Sequence, residues 1–148
     1  MRIEVVCGTG TGDTTLSAFD QALCQIGIHN YNLIPLSSII PPKSEVVRVE
    51  EYKASTEEWG NKLYVVKADI RSEMIGNSIG AGLGWYQLSD GRGMFVEHDS
   101  IADNTEEVEM KVKSRIRKSL NDLCLNRGFI FDEDKMQTAI SLIEVKDK

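Results

Sequence analysis

The sequence predicts a single-domain α/β (α+β) sandwich, with helices packed on a mainly antiparallel β-sheet in the order β-α-β-β-β-β-α-β-β. Three observations carry this. The chain has 148 residues and is 41% hydrophobic, enough for one core of ordinary domain size. Two segments show apolar residues at helical spacing, and the rest of the apolar content falls in short runs bounded by Gly, Pro, Asp and Asn. No internal repeat or linker divides the chain, so one packed unit of helices on sheet follows.

Taken in order, Ile3 to Cys7 reads as a short strand, after which Gly8, Gly10 and Gly12 break the pattern. Asp13 or Thr14 can cap the helix that follows, from about Thr15 to Ile26. Leu16, Phe19, Leu23 and Ile26 form its apolar stripe, and Gly27 accepts the left-handed conformation past its end. Asn30 to Ile40 is a β-like run, stopped by Pro41-Pro42, which cannot donate ladder hydrogen bonds. A polar stretch from Lys43 to Asn61 comes next.

Strands are predicted at Leu63 to Ile70, Ile79 to Leu88 and Gly93 to Glu97, the last two joined by the turn Ser89-Asp90-Gly91. Gly76, Gly80, Gly82 and Gly84 weaken the middle strand but permit close backbone approach. Thr105 to Arg127 is helical, its stripe Val108, Val112, Ile116, Leu120 and Leu123, its first turn acidic and its end at Gly128. Phe129 to Phe131 and Thr138 to Val145 close the chain as strands.

Composition excludes several classes of function. A formal net charge of -6 offers no basic cluster to a nucleic acid, although it suits a cationic substrate. No apolar run reaches the roughly 20 residues that span a bilayer, and Met1-Arg2-Ile3 leads into a strand instead of a signal peptide, so residence is expected in the cytoplasm. Cys7, Cys24 and Cys124 lack C-x-x-C spacing and read as reduced, buried residues. His29 and His98 have no partner at metal-ligand spacing, so no metal is expected.

The segment Gly8-Thr9-Gly10-Thr11-Gly12-Asp13-Thr14 invites a phosphate-binding reading, since a strand-to-helix loop presents backbone N–H groups. The spacing fails. A P-loop needs Lys, and the dinucleotide fingerprint Gly, where this chain has Asp13, whose carboxylate repels phosphate. A structural or substrate-lining loop is the better reading.

Ser37-Ser38 is the second motif. A serine pair is ordinarily a solvated turn, but here it lies between Leu33-Ile34-Pro35-Leu36 and Ile39-Ile40-Pro41-Pro42. A backbone strained at that proline stop would bring the Ser38 hydroxyl onto the Ser37 carbonyl, the geometry an intramolecular acyl shift requires. The run Asn32-Leu33-Ile34-x-x-Ser37-Ser38-Ile39-Ile40-Pro41-Pro42, preceded by Ala18-Phe19-Asp20-x-Ala22-Leu23 and Gly27-Ile28-x-Asn30, resembles the processing region of pyruvoyl-dependent arginine decarboxylases. Gly93-Met94-Phe95-Val96-Glu97 resembles the strand carrying that family's catalytic acid.

The resemblance implies a precursor cleaved at Ser37-Ser38 into a β chain, 1–37, and an α chain, 38–148, that begins with a pyruvoyl group made from Ser38. This covalent group takes the place of pyridoxal phosphate, and no metal is implied. Ser38 would supply the nucleophilic hydroxyl and, through its α-hydrogen and ester leaving group, the β-elimination. Asn32 matches the residue whose amide stabilises the oxyanion of the acyl shift, and Glu97 the proton donor that acts after a Schiff base between substrate and pyruvoyl loses carbon dioxide. An apolar setting would raise the Glu97 pKa toward working pH.

The implied substrate is arginine and the product agmatine. Asp20 would accept the guanidinium by two parallel hydrogen bonds, with Leu16 and Leu23 packed on the methylene stem and Tyr31 lining the channel. Without the match, Asp20 reads as a solvent-facing helix residue and Asn32 as a strand-edge amide bonding backbone. The implied assembly is a homotrimer or dimer of trimers with its site shared between neighbours. His29 and Tyr31 stand where some relatives have smaller residues, which leaves histidine, ornithine or aspartate open as substrates. An unprocessed, non-catalytic paralogue acting as an assembly partner also stays open.

Overall fold

The computed structural model describes residues 1–146. The elements in order are β1 (Arg2–Val5), α1 (Thr15–Ile26), β2 (Asn32–Pro35), β3 (Ile39–Ile40), β4 (Glu45–Arg48), β5 (Lys62–Val65), β6 (Ser78–Gln87), β7 (Gly93–Ala102), α2 (Thr105–Asn126) and β8 (Gln137–Glu144). The core is an antiparallel four-stranded sheet in the order β3-β7-β6-β8, and two parallel pairs, β1 with β4 and β2 with β5, stand beside it.

Helix α2 covers one face of the sheet. Asn104 caps it, its side chain accepting the Glu107 N–H at 2.8 Å, and Glu106 and Glu107 place negative charge at the positive end of the dipole. Val108, Val112, Ile116, Leu120 and Cys124 are fully buried against β6, β7 and β8. The glycines of β6 make this approach possible. A Cβ at Gly80 would lie 2.6 Å from Val108 Cγ1, at Gly82 2.8 Å from Val112 Cγ1, and at Gly84 2.1 Å from Ile116 Cγ2. The other face buries a second cluster, Val5, Ile40, Trp85, Phe95 and Ala139, where β1 and β3 meet β6, β7 and β8.

Helix α1 has the predicted limits. Thr14 caps it in a reciprocal box with Ser17, and Gly27 closes it at φ 84°. Its rotation differs from the prediction. Thr15, Ala18, Phe19, Ala22, Leu23 and Ile26 turn inward, and Leu16 is 68% exposed. The preceding loop lies so close on the helix that a Cβ at Gly10 would be 2.3 Å from the Ala18 carbonyl oxygen, so the small Ala18 and Ala22 set the inner face.

Several other expectations are corrected. The stretch 43–61 contains β4, because its Glu45-Val46-Val47-Arg48 segment pairs with β1. Leu63 to Ile70 is a strand only as far as Val65, and the first strand ends at Val5 instead of Cys7. The strand predicted to stop at Glu97 runs on to Ala102, because β6 is as long and pairs with it throughout. Phe129 to Phe131 is irregular, its two phenylalanines packed on the α2 core while Ile130 is 91% exposed. Cys124 is buried, Cys7 half-buried and Cys24 exposed, so burial of all three does not hold. The run 30–40 divides into β2 and β3, which pair with different partners. No helix among the described residues is long and apolar enough to cross a membrane.

Candidate active site

Ser37 and Ser38 lie where the chain passes from one sheet to another. On one side the Leu36 N–H donates to the Val65 carbonyl at 2.7 Å, continuing the β2–β5 ladder. On the other the Phe95 N–H donates to the Ser38 carbonyl at 2.7 Å, continuing the β3–β7 ladder. Ser37 is exposed and Ser38 half-buried, so the peptide between them is held at both ends but is not packed in a core. A cavity of about 1880 Å³ opens beside Ser37, bounded by Ile79, Leu83 and Phe95 of the sheet and by Phe19, Leu23 and Ile26 of α1.

Backbone strain at the serines is not found. Among the described residues the one non-glycine in the left-handed region is Lys43, at φ 59°, directly after Pro41-Pro42. The proline stop is thus resolved downstream, where the Lys43 N–H donates to the Asp90 carbonyl at 2.8 Å. Lys43, not the serine pair, carries the unusual backbone.

Glu97 lies two residues beyond Phe95 on β7 and shares its face of the sheet. With Ser38 opposite Phe95, Glu97 takes the diagonal position, about 7–8 Å off in such a ladder. Its side chain is exposed, so the burial expected to tune it is not supplied by its own chain.

The expected substrate residues are not brought together within one chain. Leu23 lines the cavity, whereas Leu16 and Asp20 are exposed on the other side of α1 beside Cys24, whose thiol lies 4.0 Å from Asp20 Oδ2. Tyr31 is held elsewhere. Its hydroxyl donates to the Glu58 carboxylate, which pushes its pKa above the usual phenol range, and its ring meets Tyr52 edge-on at 5.9 Å. Asn32 donates its amide to the Gly60 carbonyl at 2.8 Å, and five residues of extended chain put it roughly 16 Å from Ser37. His29 is exposed.

The glycine-rich loop lines the cavity, and two of its amides are tied to α1. Thr9 N–H donates to Gln25 Oε1 at 2.8 Å and Thr11 N–H to Gln21 Oε1 at 2.6 Å, so side chains of α1 hold the loop against the helix. A charged cluster on the cavity wall escaped the sequence reading. Lys67 and Arg71 flank Asp69 at 3.0 and 3.9 Å and both lie over the Phe19 ring, Arg71 at 4.0 Å and Lys67 at 5.2 Å. Its one signal was alternating charge at every second position, in a segment read as a strand.

A hydroxyl residue at a chain crossing, anchored through its carbonyl and next to open space, fits a group made from the chain itself. Ser38 lies at the crossing and is anchored through its carbonyl, and its neighbour Ser37 borders the cavity. Comparison with known proteins bears on the family. Residues 2–146 match the family model described as pyruvoyl-dependent arginine decarboxylase (PvlArgDC). The chain is 34% identical over 117 residues to the pyruvoyl-dependent arginine decarboxylase of Methanothermobacter thermautotrophicus, covering 79% of this chain and 74% of that one. It is 34% identical over 148 residues to the Thermococcus kodakarensis protein of that name, covering 99% and 87%. With the Halobacterium salinarum protein of that name it shares 37% over 104 residues, 70% of this chain and 62% of the other.

Proposed function

The chain belongs to the pyruvoyl-dependent arginine decarboxylase family, and on that footing we propose that it cuts itself between Ser37 and Ser38 and converts L-arginine to agmatine and carbon dioxide. The observation that carries this reading is the double clamp, Leu36 on Val65 and Ser38 on Phe95, around an otherwise unpacked peptide. Cleavage there leaves both new ends held, residues 1–37 through β2–β5 and the following chain through β3–β7. The α chain's last two positions, 147–148, lie outside the described residues.

Ser38 Oγ attacks the Ser37 carbonyl carbon. The C–N bond between the serines breaks as the ester forms, and the hydroxyl proton passes to the freed nitrogen. Loss of the Ser38 α-hydrogen as a proton then breaks the Cβ–Oγ bond, with the electron pair leaving on the Ser37 carboxylate. Water adds to the resulting dehydroalanine in its imine form, and ammonia departs. The pyruvoyl carbonyl so made supplies an electron sink for the pair released when carbon dioxide leaves.

Glu97 delivers the proton that replaces the lost carboxyl group, and Asp20 recognises the guanidinium, with Leu16 and Leu23 along the methylene stem and Tyr31 at the channel wall. The exposure of Leu16, Asp20 and Glu97 supports a site completed by another copy, in a homotrimer or dimer of trimers. Asn32 keeps an oxyanion role only across such a boundary, since in its own chain its amide is taken by Gly60. The free thiols of Cys7, Cys24 and Cys124 support a reducing, cytoplasmic setting.

Carbon dioxide release from arginine, histidine, ornithine and aspartate tests the reading. Wild type is expected to prefer arginine. Asp20→Asn is expected to lose that use by orders of magnitude while still cleaving, because stranding a covered guanidinium costs about 3–5 kcal/mol. Preference for another amino acid, or no effect of Asp20→Asn, contradicts the substrate assignment.

A further inference from the structure

Self-cleavage creates a charge where a neutral peptide stood, because the electron pair of the broken Cβ–Oγ bond leaves on the Ser37 carboxylate. What receives that charge can be read from the strand register. In the parallel pair β2–β5, Asn32 faces Lys62 and Pro35 faces Val65, and the Leu36 N–H to Val65 carbonyl bond carries the same pairing past the last regular residues. The regular pairing stops at Pro35 and Val65, and the same offset of thirty, carried two steps past it, would set Ser37 abreast of Lys67. Paired parallel strands lie about 4.8 Å apart, and both residues open onto the same cavity.

The local charge is unbalanced in the direction this product needs. Lys67 and Arg71 together share one carboxylate, Asp69, at 3.0 and 3.9 Å, which leaves one positive charge over. Glu4, Asp13, Glu73 and Glu144 border the same cavity, Glu4 paired with Arg2, and none of the four forms an ion pair with Lys67 or Arg71 among the described residues. Both cations lie over the Phe19 ring, which fixes them on the wall without neutralising them.

The geometry points to Lys67, supported by Arg71, as the site that binds the new Ser37 carboxylate, stabilising it as the leaving group of the elimination and holding the β chain's end afterwards. This rests on the self-cleavage proposed above. Attack of Ser38 Oγ creates no free carboxylate, so Lys67 acts on breakdown of the ester and not on its formation.

The experiment follows purified precursor over time for wild type, Lys67→Gln, Lys67→Arg and Asp69→Asn, with each sample split between direct denaturation and denaturation in hydroxylamine. Hydroxylamine cuts a Ser37–Oγ ester, leaving a hydroxamate on Ser37 and a free amino terminus on Ser38. It leaves an unreacted peptide whole. Lys67→Gln is expected to form the blocked α chain on the order of tenfold more slowly and to accumulate hydroxylamine-cleavable ester. Lys67→Arg is expected to process normally, and Asp69→Asn at least as fast as wild type. Formation of the blocked α chain by Lys67→Gln at the wild-type rate overturns the inference, as does slowing without ester, which marks a defect of folding or of the first step. Intact wild-type protein overturns the self-cleavage reading itself and is recognised before any variant is compared.

Discussion

At the scale of single residues, Glu97 and His98 are neighbours on β7 with opposite surroundings. Glu97 is exposed and lies on the face of Ser38, and the role proposed for it comes after cleavage, on the substrate. Glu97→Gln is expected to leave self-cleavage intact and to lower decarboxylation by about 10² to 10⁴, the usual contribution of a general acid. Unchanged release of carbon dioxide removes Glu97 from the reaction. His98 points through the sheet to α2, its Nε2 2.7 Å from Ser119 Oγ. Burial there, and then the Arg115 charge, lower its pKa below the ordinary value of 6.5. The folded state therefore favours the neutral ring, and the stability this gives is present above about pH 6.5 and lost as pH falls through the lowered value. Urea midpoints measured between pH 7.5 and 5.5 are expected to fall more steeply for wild type than for His98→Gln. Parallel curves contradict the linkage.

At the scale of elements, α2 on β6 is the contact most dependent on side-chain size. A methyl at Gly84 meets Ile116 Cγ2 at 2.1 Å, well inside contact distance, so Gly84→Ala is expected to destabilise by about 1–3 kcal/mol. Ile116→Ala, which empties a fully buried site, is expected to cost about 2–5 kcal/mol. Chemical denaturation checks both, and values near zero would mean that α2 does not sit closed on the sheet. The same helix was plain in the sequence, because Val108, Val112, Ile116 and Leu120 recur every fourth residue above three alternating glycines. Helix α1 was plain in its limits and misread in its rotation, since Leu16 outweighs Ala18 and Ala22 in hydrophobicity while the close glycine loop admits only the alanines. Strand β4 was hidden because its four residues are apolar only at Val46 and Val47 and pair with a distant partner, and Phe129 to Phe131 misled because aromatic residues can plug a core without forming a strand.

At the scale of the whole molecule, one chain holds the serine pair but does not bring the expected substrate residues together around it. The serine pair stood out by its apolar flanks, and the chain changes sheets there, but the backbone strain expected from the proline stop falls at Lys43 instead. The proposed grouping of Leu16, Asp20 and Glu97 was not legible as geometry, because all three are exposed on the single chain. Leu16 is 68% exposed, Ile39 59% and Tyr64 59%, apolar side chains that a neighbouring copy would cover in the proposed assembly. Light scattering is expected to give a trimer or hexamer for the active protein, with activity lost on dilution to monomer. A fully active monomer contradicts the shared site.

The central claim, that the peptide clamped between Val65 and Phe95 breaks at Ser37–Ser38, is tested most directly by denaturing mass spectrometry of the purified protein. Wild type is expected to give two fragments, residues 1–37 and a larger one without a free amino terminus, while Ser38→Ala remains one species near 16.5 kDa. A wild-type protein that stays whole at that mass after prolonged incubation contradicts it.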